Sequence, residues 1–216
     1  MAGQQTSTRP LRKDVVRNRE LLLRAAYEVF AEHGVAATLD DVARQAGLGV
    51  GTAYRHFANK HELITAVVRD AFQDLIAEGQ RGLTLDDPWQ AIRDFAAYAM
   101  SQQSQDRGLR EVFNSMPAWD QFEAERDQLT ALLDELFTRA RAAGVVRDDA
   151  DTTDLGVILH MLGSVVELTI DENPQLWRRY LPMLLDGLRP TGSALPVAPL
   201  SVDQLTRAMS EHGACS

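Results

Sequence analysis

The stretch from Thr38 to Lys60, reading TLDDVARQAGLGVGTAYRHFANK, constrains the fold more than any other part of the chain. Thr38 is a favourable helix N-cap, and Asp41 three residues later supplies an acidic version of the capping-box partner. Apolar side chains then recur at i, i+3, i+4 and i+7, which places them on one face of a short amphipathic helix. Gly47 can adopt the left-handed conformation that ends such a helix.

A second, very short helix is expected directly afterwards, with Val50, Ala53 and Phe57 at helical spacing. A helix of this length does not persist alone in water, so its apolar side must be held from behind. Two short helices joined by a glycine-containing turn form the helix-turn-helix pattern, whose second helix enters the major groove. Small outer residues would let the backbone approach base edges, and polar ones could reach phosphates or guanine. The candidate DNA-binding residues are Thr38, Arg44, Val50, Gly51, Thr52, Tyr54, Arg55, His56 and Lys60.

The charge distribution agrees with a DNA-binding N-terminal part. The net charge of −9 alone would argue against a nucleic-acid partner. However, residues 1–60 hold nine basic and six acidic residues, whereas the remainder holds 13 basic and 25 acidic ones. A basic module on an acidic body is the asymmetry expected of a DNA-binding head. Residues 1–14 are predicted to be a disordered basic arm, either simply solvated or laid along the minor groove.

The run from Gly34 to Leu63, GVAATLDDVARQAGLGVGTAYRHFANKHEL, resembles the DNA-binding signature of TetR-family transcriptional regulators. The resemblance implies a ligand-responsive regulator, most often a repressor, that binds a near-palindromic double-stranded DNA operator as a homodimer. It also implies a helix-turn-helix domain over residues 15–60 and a larger helical ligand-binding and dimerisation domain over residues 61–189. A Pro-rich linker and a short tail helix would follow over residues 190–216.

No strand-like alternation persists anywhere, so the sequence predicts an all-α fold of about nine helices plus the tail helix. Two of the predicted helices begin with clear capping residues. One begins at Lys60, with Asn59 as N-cap and Glu62 as its capping-box partner, and the other begins at Pro88, with Asp87 before it. The predicted helices outside the helix-turn-helix are Val15–Glu32, Lys60–Glu78 closed by Gly79 and Gly82, Pro88–Gln103 with Gln90 as capping-box partner, Arg107–Ser115, Trp119–Ala143, Thr152–Ile170 capped by Asp151, Pro174–Leu188 with a bend at Pro182, and a tail helix starting near Ser201.

The helix ending at Ile170 is apolar nearly all round, which predicts burial on several sides. In the family that the chain resembles, the last two long helices of each subunit form a four-helix dimer interface. Burial inside one subunit is the alternative. The candidate interface residues are Leu155, Ile158, Leu162, Val166, Leu176, Tyr180, Met183 and Leu184.

Bulky side chains on the middle helices could line a cavity for a small, mostly apolar effector, because ligand sites are concave and apolar with few polar groups. Ordinary core packing is the alternative for each of them. The candidate ligand-binding residues are Phe95, Tyr98, Phe113, Met116, Trp119, Phe122, Leu133, Phe137, His160 and Ser164.

Other classes of function find little support in the sequence. The five histidines are scattered, none forms an i, i+4 metal-binding pair, and no phosphate-binding or nucleophile motif is present, so we expect neither an enzyme nor a cofactor nor a metal. The single Cys215 fits a reducing cytoplasm, and neither a signal peptide nor a membrane span is predicted. The remaining alternative is a helical dimer that binds small molecules or proteins without binding DNA.

Overall fold

The computed structural model describes residues 9–105, 119–190 and 193–213, which form nine α-helices and no β-strand. The all-α class is thereby confirmed. Short 3-10 turns occupy Gly34–Ala36, Trp119–Phe122 and Asp186–Leu188, and the helix predicted at residues 107–115 lies outside the described residues. The helices are α1 (Arg9–His33), α2 (Leu39–Gln45), α3 (Val50–His56), α4 (Lys60–Leu83), α5 (Pro88–Gln105), α6 (Glu123–Ala142), α7 (Thr152–Thr169), α8 (Trp177–Leu185) and α9 (Val202–Gly213).

The first three helices and the first half of α4 surround one apolar core. Each fully buried aliphatic or aromatic side chain contributes about 1.5–3 kcal/mol, which allows helices as short as α2 and α3 to persist. The Tyr27 hydroxyl donates to the Val67 carbonyl oxygen at 3.1 Å and ties α1 to α4. The buried residues include Leu22, Ala26, Val29, Phe30, Leu39, Val42, Ala43, Ala53, Phe57, Leu63 and Val67.

Helix α4 is longer than predicted. The sequence placed its end before Gly79, but the helix continues to Leu83 with Gly79 and Gly82 buried inside it. A Cβ on Gly79 would lie 3.6 Å from Leu132, and one on Gly82 would lie 3.4 Å from Leu136. The two glycines therefore mark a close approach of α4 to α6, and the prediction that they end the helix was wrong.

The two cores of the molecule meet within α4. Ala66 and Ala71 belong to the N-terminal core, whereas the Phe72 ring stacks on Phe122 of the following body with centroids 5.7 Å apart. The two sets of buried residues overlap along α4, since Val68 already packs with Phe72 and Phe122, and the division after residue 60 stays a prediction. Because α4 is one continuous helix, it joins the two cores directly.

Several helix ends differ from the sequence-based expectation. Helix α1 begins at Arg9, so residues 9–14 are helical and not part of a disordered arm. Asp87 caps α5 by accepting from the backbone N–H of Trp89, but the Gln90 side chain is directed to Asp94 and does not complete a capping box. Local capping signals thus located most helix starts, and tertiary contacts fixed the rest.

The last long helix is shorter than expected. Asn173 and Pro174 lie in a turn, and α8 begins only at Trp177. The Leu176 N–H donates to the Asn173 carbonyl oxygen at 3.0 Å, which closes this turn before the helix starts. The helix includes Pro182, where the expected bend stays a prediction.

Helices α5 to α8 surround the second core, and α7 lies within it. Four of the predicted interface residues, Leu155, Ile158, Leu162 and Val166, are buried in this core. Their side chains are already covered by α5 and α8 of the same chain, so they are not available to a second subunit. For these four positions the structure therefore favours burial inside one subunit, which the sequence left open as the alternative to a dimer interface.

Residues 193–213, which we call the C-terminal strap, run back over the body. The Thr153 hydroxyl donates to the Leu200 carbonyl oxygen at 2.8 Å, and the Leu195 N–H donates to the Asp149 carboxylate at 2.8 Å. Hydrogen bonds from Arg147 and from Leu195 hold the pKa of Asp149 well below its usual range. A reciprocal cap between Ser201 and Gln204 starts α9, as predicted.

Candidate nucleic-acid interface and ligand cavity

The turn between α2 and α3 sets the position of α3. Gly47 has φ +67°, and the Leu48 and Gly47 N–H groups donate to Ala43 and Arg44 carbonyl oxygens, which is the Schellman pattern that ends a helix. Helix α3 begins three residues later, at Val50. The predicted left-handed glycine is thus confirmed.

Helix α3 is held from behind by two residues and exposes the rest. Ala53 and Phe57 are buried in the N-terminal core. Val50, which the sequence also placed on the apolar side, is 43% exposed because it stands at the first turn of α3. Nothing lies within 4 Å of a Cβ built on Gly51, so packing inside the chain does not require glycine there.

The polar candidates on α3 point away from the core. Tyr54 and Arg55 are exposed, and Thr52 and His56 are half-buried. The Arg55 guanidinium is folded along its own helix, with Nε donating to the Gly51 carbonyl oxygen at 3.2 Å and Nη2 to Thr52 Oγ1 at 3.0 Å. An arginine held in this way is preordered near the face where base edges would lie.

Tyr54 has a neighbour that the sequence analysis did not single out. The charge of the Asp40 carboxylate on α2 raises the pKa of the Tyr54 hydroxyl. The phenol therefore stays neutral at pH 7 and can donate a hydrogen bond. No local pattern indicates this contact, because it depends on how α2 and α3 pack.

Helix α2 contributes two further candidates, Thr38 at its N-cap and Arg44 in its last turn. The Asp41 N–H donates to Thr38 Oγ1 at 3.2 Å, while the Thr38 N–H and hydroxyl both donate to the Asp41 carboxylate, at 3.0 and 2.6 Å. The exposed Arg44 donates to the same carboxylate at 3.0 Å. The Thr38 hydrogen bonds, helped by Arg44, hold the pKa of Asp41 below its usual range. The predicted capping box is therefore confirmed.

Lys60 occupies the first position of α4. Asn59 caps this helix by accepting from the Glu62 N–H at 2.9 Å, as predicted. The Glu62 carboxylate, however, accepts from the Ala58 N–H and not from that of Asn59. Lys60 lies beside α3 in sequence, half-buried, on the side where a phosphate could meet the helix N-terminus.

A cavity of about 210 Å³ lies in the body between five helices. Its wall is apolar apart from a few polar side chains. The Leu205 side chain of α9 closes the fifth side and approaches Gly156 so closely that a Cβ there would lie 2.9 Å from Leu205 Cδ2. The lining residues are Phe72, Leu75, Phe95, Ala99, Gln103, Arg126, Leu129, Thr130, Leu133, Thr152, Thr153, Leu155, Gly156, Leu159, His160, Val202, Leu205 and Thr206.

Three of the predicted ligand-binding residues, Phe95, Leu133 and His160, line this cavity. Phe122 and Phe137 are instead fully buried in core clusters, which is the ordinary alternative.

Two polar candidates also lie elsewhere. Tyr98 is half-buried outside the cavity with its hydroxyl accepting from Gln102 Nε2 at 3.1 Å, and Ser164 is exposed. Phe113 and Met116 lie outside the described residues, as does the side chain of Trp119.

Apart from His160, the polar residues of the cavity were missed. Arg126, Thr130 and Leu133 fall at i, i+4 and i+7, so a single face of α6 meets the cavity. That spacing is visible in the sequence, but an arginine at such a position is ordinarily read as solvent-facing. The contribution of α9 could not be foreseen, because the sequence does not say onto what the tail helix packs.

Helix α7 also exposes large apolar side chains, on a face that it shares with the exposed His160, Ser164 and Glu167. Met161, Ser164 and Leu168 fall at i, i+3 and i+7 and are all exposed, Leu168 to 85%. On α8, Tyr180 and Met183 are exposed and Leu184 is half-buried, as is Leu176 directly before the helix. Large apolar side chains exposed together on neighbouring helices are typical of an interaction surface. None of the described helices is both long and apolar enough to cross a membrane.

Two family models match the chain. Residues 22–67 match the bacterial regulatory proteins of the tetR family, and residues 87–190 match the C-terminal domain of SbtR-like transcriptional regulators. The crystal structure of the TetR regulator SCO0520 from Streptomyces coelicolor is 30% identical, with a TM-score of 0.64 over 81% of this chain and 99% of that one. The chain belongs to the TetR family.

Further relatives agree with this membership. SmeT, the repressor of the Stenotrophomonas maltophilia multidrug efflux pump SmeDEF, is 28% identical, with a TM-score of 0.59 over 85% of this chain and 97% of SmeT. The regulator SrpR of Pseudomonas putida is 37% identical over 75 residues, which are 34% of this chain. That match spans 35% of SrpR, so the chain covers only about a third of the length of this curated relative. This TetR-family chain is thus a transcriptional regulator with a helix-turn-helix DNA-binding domain, and its relatives are regulators and not enzymes.

Proposed function

We propose that the protein is a ligand-responsive transcriptional repressor that binds a near-palindromic operator as a homodimer and releases it when a small, mostly apolar effector binds. The observation that carries the proposal is the outward face of α3, where Tyr54 and Arg55 are exposed on a helix held by Ala53 and Phe57. A purely structural helix would not need this set of exposed hydrogen-bonding residues. The site of action would be the cytoplasm, where the operator lies.

A homodimer is supported by the exposed apolar face of α7 and α8. A near-palindromic operator is read by two recognition helices about one helical turn of DNA apart, which a two-fold symmetric protein supplies. We propose that Met161 and Leu168, with Tyr180 and Met183, meet the same residues of a second chain. The predicted Leu176 and Leu184 would lie at the edge of this contact.

The effector would bind in the cavity between α4, α5, α6, α7 and α9. SmeT, a relative described as a repressor, has been crystallised with triclosan. In the present chain, Phe72 and Leu75 of α4 line the cavity, while the first half of the same helix packs in the N-terminal core. A ligand that prefers one position of α4 would therefore change the spacing of the two heads. It can weaken DNA binding only by its preference for the non-binding state.

Polarisation binding to labelled intergenic DNA flanking the gene tests the proposal. We expect a complex that unlabelled intergenic DNA displaces and random DNA of equal length does not, with affinity that falls as salt rises. If no competable complex forms at low salt, the repressor proposal fails and a dimeric ligand- or protein-binding module without DNA binding becomes the better account.

A further inference from the structure

Arg126 differs from every other described residue that lines the cavity, because it alone carries a permanent charge. It projects from the first turns of α6, and four-fifths of its side chain is buried. Its Nε is fully buried and has no hydrogen-bond partner among the described residues. Within the part of the chain that the structure describes, the carboxylate paired with Arg126 is Asp127, whose Oδ1 lies 3.8 Å from Nη2, beyond hydrogen-bond distance, on an exposed side chain.

A buried donor without an acceptor is costly, and a buried guanidinium more so. Cores of ordinary proteins avoid this arrangement, since arginine is rarely buried unless it is paired. An acceptor oxygen of a ligand in the cavity would satisfy Nε, and a negative charge on that oxygen would also balance the guanidinium. The unpaired nitrogen thus favours a ligand with a negatively charged acceptor oxygen.

His160 lies at the same end of the cavity as Arg126. Loop 143–151 joins α6 to α7, and the Thr152 hydroxyl donates to the Asp134 carboxylate at 2.8 Å, so the two helices run antiparallel. Arg126 lies eight residues before Asp134 and His160 eight residues after Thr152, about 12 Å along each helix in the same direction. Arg126 and His160 therefore lie at one end of the cavity, and Thr152 lies at the other, where its hydroxyl is already bonded to Asp134.

Away from Arg126 the wall is mainly apolar, and the Thr153 hydroxyl that lines it is already bonded to the Leu200 carbonyl oxygen. Phe95 and Leu133 lie in the wall together with Leu155. The volume of about 210 Å³ exceeds the roughly 150 Å³ of an apolar cavity that holds benzene. A molecule of roughly ten non-hydrogen atoms is therefore of suitable size.

We propose that the cavity binds a small amphipathic carboxylate, whose apolar part packs against Phe95, Leu133 and Leu155 and whose carboxylate accepts hydrogen bonds from Arg126. This inference rests on the proposed function, since it assigns a chemical class to the effector of the same cavity. Arg126 would determine specificity for an anionic head group, because a neutral analogue leaves the guanidinium charge unbalanced and a cationic analogue adds a like charge.

Three probes with the same alkyl chain test this: octanoate, octan-1-ol and octylammonium. Their affinities for the full chain are measured by calorimetry in the absence of DNA. We expect octanoate to bind about 10- to 100-fold more tightly than octan-1-ol, the range that a charge-assisted hydrogen bond gives, and octylammonium to bind most weakly. Arg126→Met should remove the advantage of octanoate while octan-1-ol binds as before, and Arg126→Lys should retain part of it.

Arg93→Met, which removes an exposed arginine of α5 outside the cavity, is the matched control and should leave all three affinities unchanged. Octan-1-ol binding by Arg126→Met, together with its circular dichroism, shows whether that variant is folded. Equal affinities for octanoate and octan-1-ol in the wild type would overturn the proposal, as would an octanoate advantage that survives in Arg126→Met. Absence of binding by all three probes would also overturn it. Operator binding is measured separately without ligand, so these outcomes are distinct from a failure of the repressor proposal.

Discussion

Arg55 is an exposed basic residue of α3, and hydrogen bonds to Gly51 and Thr52 of the same helix hold its guanidinium in place. We expect Arg55→Ala to weaken operator binding about tenfold or more, because a good bidentate contact to guanine is worth about 1–3 kcal/mol. Polarisation titrations at one fixed salt concentration measure the loss. Arg207→Ala, which removes an exposed arginine of α9, should bind the operator like the wild type. Equal affinity in Arg55→Ala and Arg207→Ala would remove Arg55 from the interface.

The Thr38–Asp41 capping box predicts a pH dependence of stability. Asp41 has a pKa below its usual range in the folded chain, so its contribution is complete above the unfolded value of about 3.9 and is lost as pH falls through the folded value. Thr38→Ala should therefore destabilise the chain at pH 7 and have a smaller effect near pH 3. Urea unfolding at the two pH values measures both differences.

Thr84→Ala is a suitable control for this experiment, because the Thr84 hydroxyl donates to the Arg81 carbonyl oxygen and not to a carboxylate. Its effect on the free energy of unfolding should be similar at both pH values. If the effect of Thr38→Ala were also independent of pH, the carboxylate of Asp41 would not be what stabilises the start of α2.

Helix α4 shows how far an element can depart from its local signals. Gly79 lies at an ordinary contact distance from Leu132, with room for one methyl group and no more. Gly79→Ala should therefore stabilise the chain by roughly 0.5–1 kcal/mol, the helix-propensity difference, whereas Gly79→Leu should destabilise it by forcing α4 from α6. Chemical unfolding of both variants measures this. A destabilised Gly79→Ala would mean that α4 and α6 pack too tightly for any side chain at this position.

Elements with local signals were predicted well, and those that depend on distant contacts were not. The caps at Thr38, Asp151 and Ser201 involve residues two or three positions apart, so the sequence contains the whole interaction. The apolar helix α7 gave no indication of which of its sides another chain would cover. Leu168, on its exposed face, was consequently not among the predicted interface residues.

The same contrast between local signals and distant contacts applies to the two candidate sites, the outer face of α3 and the cavity. The outer face of α3 was predictable because one short helix contains it. The cavity needs five helices, and Arg126 enters it only because α6 turns that face inward. No property of an isolated arginine distinguishes that placement from exposure to solvent.

At the scale of the whole molecule, the exposed face of α7 leads to a prediction about assembly. Leu168→Arg places a charge where 85% of a leucine side chain is exposed, and should convert the proposed dimer to a monomer and abolish operator binding. Sedimentation velocity at micromolar concentration measures the assembly. Val197→Arg makes the same change at a 77% exposed residue of the C-terminal strap and should remain dimeric. A wild-type protein that is monomeric under these conditions would contradict the proposed mode of operator reading.

The strap that supplies Val202, Leu205 and Thr206 to the cavity lies outside both matched ranges, 22–67 and 87–190. It contributes no residue to the core that joins α4 to the DNA-binding part. Substitutions within residues 193–213 are therefore expected to alter which molecules the cavity admits, while the proposed operator recognition and its proposed coupling through α4 stay as they are. Relatives that share the cavity lining of α4 to α7 could therefore differ in their inducers through this one segment alone. The promoters that each protein controls would not need to change.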